Sequence, residues 1–543
     1  MVPVEVDNTN IIEKISRDVI NYLIRNPGTS RQKITNIKGK IGKKYNYNKV
    51  IKNATILDFA TNEEKQIITQ ILKRRTTRTQ SGVSVIAIMT KPLPCPGTCI
   101  YCPGQDSQPG NKAAQSYTGR EPAAMRSIYN DYEPCKQVKS RINDLEAIGH
   151  QVDKIELIIM GGTFLSADRN YQEYFIKGAY EGIINKKVDT LENAKNSAEK
   201  SKRRLIGLTI ETRPDYCKEF HVDRMLTFGT TRVEIGIQTV YNEIYNLINR
   251  GHTIEDSIEA IRIAKDSGLK INAHIMPNLP GSDYPKDLEM FNILYSNPDY
   301  RPDMLKIYPC LVIKGTELYK WWKEGNYLPY TTDQLIDLIA NIKQKLPSYV
   351  RIQRIMRDIP APLIEAGCNK SNLRQLVQER LKELNAKCNC IRCREYGISN
   401  KQLLKDENSL KNIKLKRLNY KASKGAEVFL SYENLQDNYL VGYLRLRKPS
   451  EFAHRSELND GKTMVVREIK VVGELVPKDS KPDRYSQIQH RGFGKMLLEN
   501  AEKISSEEFD ANKLAVISGI GARDWFYELG YRLDGVYVSK KLI

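Results

Sequence analysis

Cys95, Cys99 and Cys102 stand in PCPGTCIYCPG at the spacing C-x3-C-x2-C. A [4Fe–4S] cluster ordinarily takes four cysteine thiolates, so three leave one iron open. An open iron binds the amino and carboxylate groups of S-adenosylmethionine (SAM). Electron transfer into that sulfonium then yields a 5′-deoxyadenosyl radical. A structural zinc would need a fourth ligand close by, and the neighbouring sequence offers none. A second triplet, Cys388, Cys390 and Cys393, is spaced C-x-C-x2-C. Zinc prefers four tetrahedral ligands. Cys310, at the end of a predicted strand, is the expected fourth, with Cys368 behind it; free buried cysteines are the alternative reading.

A third motif has different chemistry. Gln489, Gly492 and Gly494 form Q-x-x-G-x-G in QHRGFGKMLLENAEKI, at the start of a predicted helix. Exposed backbone N–H groups at a helix start hold pyrophosphate, and glycines remove side-chain obstruction. The preceding REIKVV is expected to splay from its neighbouring strand and hold a pantetheine arm by backbone pairing. That arrangement suits acetyl-CoA. A radical source and an acyl-CoA site on one chain narrow the function more than either alone.

Other candidates fall at strand ends. MGGTF places Gly161 and Gly162 where the backbone can approach a ligand closely. ETRPD places Glu211 and Arg213 at another end, and Glu234 and Gln238 share a face of VEIGIQTV. Charged residues at successive strand ends read as a binding site.

These residues require a scaffold that repeats strand, loop and helix. SVIAIMTKP, KIELIIMGG, RLIGLTIETRPD, RVEIGIQTV, INAHIMPNLPG and MLKIYPCLVIKGT are the predicted strands, with helices such as SIEAIRIAKDSG and TDQLIDLIANIKQKL between them. Alternation of this kind implies a parallel sheet. Six strands suggest a partial (β/α) barrel, whose working residues lie at the C-terminal strand ends. The insert LENAKNSAEKSKRRL reads as a solvent-facing helix. VFLSYEN, YLVGYLRLR and MVVREIKVVGELV alternate like antiparallel strands, followed by a helix and the strand KLAVISG. The expected fold class is therefore α/β. Residues 1–80 form a small basic helical segment, 81–360 the barrel, 361–410 a zinc-binding connector and 411–543 an α+β unit.

A chain of 543 residues is too long for one ordinary domain. Its net charge of +20 favours a polyanionic partner, with nucleic acid leading. Lys73, Arg74, Arg75 and Arg78 concentrate that charge, and KGKIGKKYNYNKVIKN mixes lysine with tyrosine, as either an RNA grip or a solvated loop. Ten cysteines, six of them in tight triplets, suit metal ligation better than a disulfide framework. No apolar run of about 18 residues is present, so no membrane span is expected. A cytoplasmic location follows by default.

With CPGTCIYCPG, MGGTF, TIETRPDYC, EIGIQTVY, HIMPNLPG, CIRCREYG, REIKVVGELVP, QHRGFGKMLLENAE and VISGIGARDWFYELGY in this order, the chain resembles the catalytic subunit of Elongator in its archaeal single-chain form. The resemblance runs from about residue 75 to the C-terminus. It implies a radical SAM barrel joined to a GNAT acetyltransferase-like domain. It also implies formation of 5-carboxymethyluridine at the tRNA wobble position. Acetyl-CoA would supply the carbon unit: the adenosyl radical takes hydrogen from the acetyl methyl, and the carbon radical adds to C5 of the base. Cys95, Cys99 and Cys102 would bind the cluster, and Lys154 would contact acetyl-CoA and serve catalysis. Glu468, Ile469, Lys470 and Val471, with Phe493, Gly494 and Lys495, match the acetyl-CoA-binding strand and turn. The family's two adjacent tyrosines are Trp525 and Phe526 here, with Tyr527 one place later as the expected catalytic hydroxyl and Phe526 in the cofactor site. Partners are tRNA, acetyl-CoA and an electron donor; a homodimer is left open. A protein lysine acetyltransferase and a noncatalytic RNA-binding scaffold with a structural cluster are the alternatives.

Overall fold

The computed structural model describes residues 8–29, 31–47, 51, 53–72, 81–104, 110, 112–397, 410–473, 476 and 487–542. Four helices, Asn8–Arg25, Arg31–Lys44, Asn53–Asp58 and Asn62–Leu72, close on an apolar core that includes Ile15, Val19, Leu23, Ile56 and Ile68. The lysine–tyrosine stretch is partly helix rather than loop. Tyr45 donates to Asp18 at 2.9 Å, and Lys44 pairs with the same carboxylate. The cationic run Lys73, Arg74, Arg75 and Arg78 lies outside the described residues, as does 398–409 of the expected connector.

One parallel sheet follows: β1 (Val83–Met89), β2 (Lys154–Met160), β3 (Arg204–Thr212), β4 (Arg232–Gln238), β5 (Lys270–Ile275), β6 (Met304–Ile307) and β8 (Arg351–Ile355). The order is β1-β2-β3-β4-β5-β6-β8, and its two edges do not pair, which makes a partial barrel. Strands of a parallel sheet are covered on both faces and read as apolar runs. The sheet has seven strands where six were expected. The seventh, RIQRI, mixes two arginines and a glutamine with two isoleucines; Arg351 is buried against Glu395 at 2.6 Å. MLKIYPCLVIKGT is not one strand either. Pro309 cannot donate to a ladder, so β6 stops, and a short β7 (Val312–Ile313) pairs with β9 (Ile364–Ala366) instead.

The C-terminal unit is a second seven-stranded sheet. Its strands are β10 (Ile413–Ala422), β11 (Gly425–Asn434), β12 (Tyr439–Lys448), β13 (Thr463–Val471), β14 (Lys513–Val516), β15 (Arg532–Asp534) and β16 (Tyr537–Lys541). They run β10-β11-β12-β13-β14-β16-β15. Only the β13–β14 pair in this sheet is parallel; it holds from Thr463 opposite Lys513 to Val466 opposite Val516, and beyond that the strands part. The helix Phe493–Phe509 packs its Leu497, Leu498 and Ala501 into the apolar core of this unit.

The two units share buried surface. Gly519 and Gly521 lie against β3 so closely that a Cβ on either would overlap the backbone of Ile206 or of Arg204 and Leu205. The insert helix, Leu191–Glu199, is not solvent-facing throughout. Its Ala194 and Ala198 are buried, and Glu199 accepts from Arg523 at 2.9 Å and Tyr527 at 3.0 Å. Beside β5 and β6 the join is ionic. Arg467 of β13 reaches Asp303 at 2.6 and 2.8 Å, and Arg447 of β12 bridges Asp266 and Glu427 at 2.6 and 2.9 Å. All five groups are fully or almost fully buried. No helix among the described residues is long and apolar enough to cross a membrane.

Candidate functional sites at the two ends of the barrel

The cysteine loop after β1 lies at the C-terminal strand ends, beside a cavity of about 160 Å³. Cys95, Cys99, Cys102, Gly162, Glu211 and Arg213 all border it. Gly161, with φ of 125°, carries the chain away from β2. Several donors face the sulfurs: Arg250 Nη1 to Cys99 Sγ at 3.4 Å, Gln115 Nε2 to Cys102 Sγ at 3.6 Å, and the Ser116 hydroxyl 3.1 Å from Cys102 Sγ. Burial, with the adjacent Cys99, pushes the Cys102 thiol up to about 11. Arg213 chelates Asp215 at 2.9 and 3.0 Å, yet its Nη1 is buried without a partner, as is Arg250 Nε. Orphaned guanidinium N–H groups beside three thiols suit an anionic group.

Sulfur spacing separates the two triplets. Tetrahedral zinc at Zn–S of about 2.3 Å holds its sulfurs roughly 3.8 Å apart. Among the described residues, Cys388, Cys390 and Cys393 converge within 4.8 Å, and the first triplet is not among such groups. The first therefore fits a cluster larger than one ion, and the second fits a single metal. Cys310 is not a fourth ligand. Pro309 turns it into the apolar cluster of Ile100, Tyr101 and Leu318 beside the first triplet, whereas Ile391 N bonds Val350 O at 2.8 Å and fixes the second triplet at the opposite end of the sheet. Cys368, within 361–410, is buried, but its sulfur does not join the converging three. The Lys343 ammonium sits 3.4 Å from Cys393 Sγ instead.

Glu211, Glu234 and His274 also converge within 4.8 Å. A cation already serves them: Lys306 pairs with both carboxylates, at 3.1 Å for Glu211, and His274 meets Glu234 at 2.8 Å. Burial would raise the Glu234 carboxyl, but Lys306, His274 and Arg232 outweigh it and hold it well below the usual range. Glu234 lies inside the barrel, while Gln238 ends β4 with φ of 72°.

The larger cleft, about 630 Å³, opens at the N-terminal strand ends, between the barrel and the C-terminal unit. Lys154, the first residue of β2, lines it, so this candidate is not at a C-terminal strand end. Opposite lie Glu468, Ile469, Lys470 and Val471 of β13 and the turn Gln489, Gly492, Phe493, Gly494 and Lys495. Gly492 caps the helix at φ of 82°, a left-handed conformation that a side chain would strain. Gln489 donates to Ser81 O at 3.1 Å and so ties the turn to the barrel. Glu468 accepts from Tyr443 at 3.0 Å and Arg445 at 2.9 Å. Trp525 and Phe526 line the cleft. Tyr527 does not; its hydroxyl is turned to Glu199.

Arg232 joins the two ends. It pairs with Glu156, which lines the cleft, and lies 3.4 Å from Glu234, which lines the cysteine cavity. Lys270, Lys306 and Arg250 were not singled out in the sequence. For Lys270 a signal existed: five of the seven barrel strands open on a cation, Lys154, Arg204, Arg232, Lys270 or Arg351. Together they make the cleft cationic.

A partial parallel barrel with a three-cysteine loop above its strands defines a radical SAM protein. Residues 94–292 match the Radical SAM superfamily, 302–383 the Radical_SAM C-terminal domain and 12–80 the ELP3 N-terminal domain. The chain is 48% identical over 495 residues to a tRNA uridine(34) acetyltransferase of Methanocaldococcus jannaschii, covering 90% of each. It is 41% identical over 532 residues to Elongator complex protein 3 of Homo sapiens, covering 97% of this chain and 96% of that one. The solved structure of Methanocaldococcus infernus Elp3 with an N-terminal deletion matches with a TM-score of 0.75 at 42% identity, covering 85% of this chain and 100% of that one. The chain belongs to the Elongator complex protein 3 family.

Proposed function

We propose that this chain makes 5-carboxymethyluridine at the wobble position of tRNA from acetyl-CoA by SAM-dependent radical chemistry. The observation that carries the reading is one barrel with a three-cysteine cavity at one end and a cationic, helix-capped cleft at the other. Relatives named for tRNA uridine(34) supply the substrate. Cluster-bound SAM, once reduced by an electron donor, supplies the adenosyl radical. Cys95, Cys99 and Cys102 would hold the cluster. Gly161, Gly162, Glu211 and Arg213 would border SAM. The Gly492 turn would cradle pyrophosphate, β13 would hold the pantetheine arm, and Lys154 would contact the bound acetyl-CoA. The converging Cys388, Cys390 and Cys393 support a zinc site that pins a 361–410 connector against the barrel. The splayed β13–β14 pair supports reading 411–543 as a GNAT-like domain, and we assign the reaction to the cytoplasm.

The test is anaerobic incubation of the chain with tRNA, SAM, reductant and acetyl-CoA deuterated on its methyl. Deuterium is expected in 5′-deoxyadenosine, and the labelled carbon in the modified uridine by nucleoside mass analysis. Deuterium wholly retained while modified uridine still forms would rule out direct hydrogen abstraction.

Residues 1–80 would bind tRNA. If Z phosphates are neutralised, log K should fall with log salt at a slope of about −0.7Z to −0.9Z. Deleting this segment should weaken binding and flatten the slope. Unchanged affinity and slope would place the RNA site elsewhere.

A further inference from the structure

The cleft contains more amines than contact with a cofactor requires. Lys154, Lys270 and Lys470 all line it. An acyl-CoA arm running from the Gly492 turn along β13 brings its thioester to the fork where β13 and β14 part, after Val466 and Val516. Lys470 lies on β13 between turn and fork. Lys154 lies on the far wall, with Arg204 as its nearest cationic neighbour. Lys270 stands beside the fork: Arg467 of β13 donates to Leu269 O at 2.9 Å, a Cβ at Gly268 would lie 3.1 Å from Val465 and 3.5 Å from Ile517, and Glu468, Arg232, Glu156 and Arg467 are charged groups acting on Lys270. Its backbone N bonds Thr231 O at 3.2 Å, which fixes the start of β5 there. Its ammonium makes no hydrogen bond among the described residues. Burial lowers its pKa to about 8, with Arg232 and Arg467 opposing the carboxylates, so a sizeable fraction is neutral near physiological pH. Lys270 is half-buried in the cleft wall, and a lysine amine that is neutral there can act as a nucleophile.

Resting on the reading of the cleft as an acetyl-CoA site, we propose that Lys270 accepts the acetyl group. Its nitrogen attacks the thioester carbonyl, the C–S bond breaks, the proton lost from nitrogen ends on the leaving thiolate, and CoA thiol and Nε-acetyl-lysine result. No oxidant or reductant enters the balance. The step requires neither SAM nor tRNA.

The full chain, incubated with acetyl-CoA carrying carbon-13 in the acetyl group, is followed by intact mass and peptide mapping, with acetyl-CoA binding measured in parallel by calorimetry. One acetyl per chain is expected, on Lys270 ahead of Lys154, Lys470 and surface lysines, at a rate that rises as pH passes through about 8. Lys270→Arg should drop whole-chain incorporation to background. Binding without acetyl-Lys270, or label first on another lysine, overturns this inference and leaves the radical reading intact. No binding of acetyl-CoA at all overturns both.

Discussion

Cys99→Ala is expected to abolish 5′-deoxyadenosine formation and leave the chain folded. Three sulfurs are the minimum that holds a four-iron cluster with an open iron, so losing one leaves no spare ligand. Cys310 packs in the same apolar cluster and is the nearest replacement. Burial pushes its thiol up to about 12, so it is a poor thiolate donor. Cys99 is only partly buried, so truncation leaves little cavity. Iron content, 5′-deoxyadenosine yield and the unfolding midpoint measure the three parts separately. Normal iron and normal 5′-deoxyadenosine in Cys99→Ala would remove the cluster from this loop.

Arg467→Ala is expected to destabilise the chain by about 3–5 kcal/mol, the usual effect of removing one partner from a buried ion pair. The alanine leaves Asp303 and Glu427 buried with less positive charge beside them. Lys265, also fully buried, partly compensates, although burial has lowered its own pKa to about 8. Urea unfolding measures the loss; a change under about 1 kcal/mol would class the pair with exposed ones. The pH sign follows from Asp303. Burial raises its carboxyl, but Arg467, Lys265 and Arg445 outweigh burial and hold it well below 3.8. Its contribution is therefore complete above the ordinary aspartate range and fades only as pH falls through the depressed value. In Arg467→Ala part of that depression is lost, so acid unfolding should begin at higher pH.

Much of the barrel was legible because parallel strands are apolar on both faces and stand out as runs. The strand RIQRI escaped because two of its five residues are arginines, one of them buried only by virtue of Glu395. The cysteine loop was legible from spacing alone. Cys310 was misassigned because linear distance from a strand end does not reveal which end of the sheet a loop faces. Tyr527 fails for a helical reason. In Arg523–Glu528 each residue turns the side chain by about 100°, so Trp525 and Phe526 face the cleft and the next position faces Glu199. The insert helix looked solvated because its docking face is two alanines and one glutamate.

The ionic join between barrel and C-terminal unit has a consequence for how the chain is made. Asp303 emerges from the ribosome 164 residues before Arg467. At a synthesis rate of roughly 5–20 residues per second, that gap is on the order of ten to thirty seconds. Over that interval Asp303 lacks Arg467 and Arg445 and Asp266 lacks Arg447; only Lys265 and Arg262, each at 3.7 Å, stand beside them, and burying carboxylates with so little compensation is costly. The lower rim of the nascent barrel is expected to stay hydrated until β12 and β13 bring their arginines. The cleft is therefore built last, when the end of the message is read, and a chain released early has a barrel whose floor lacks the guanidinium partners of Asp303 and Asp266.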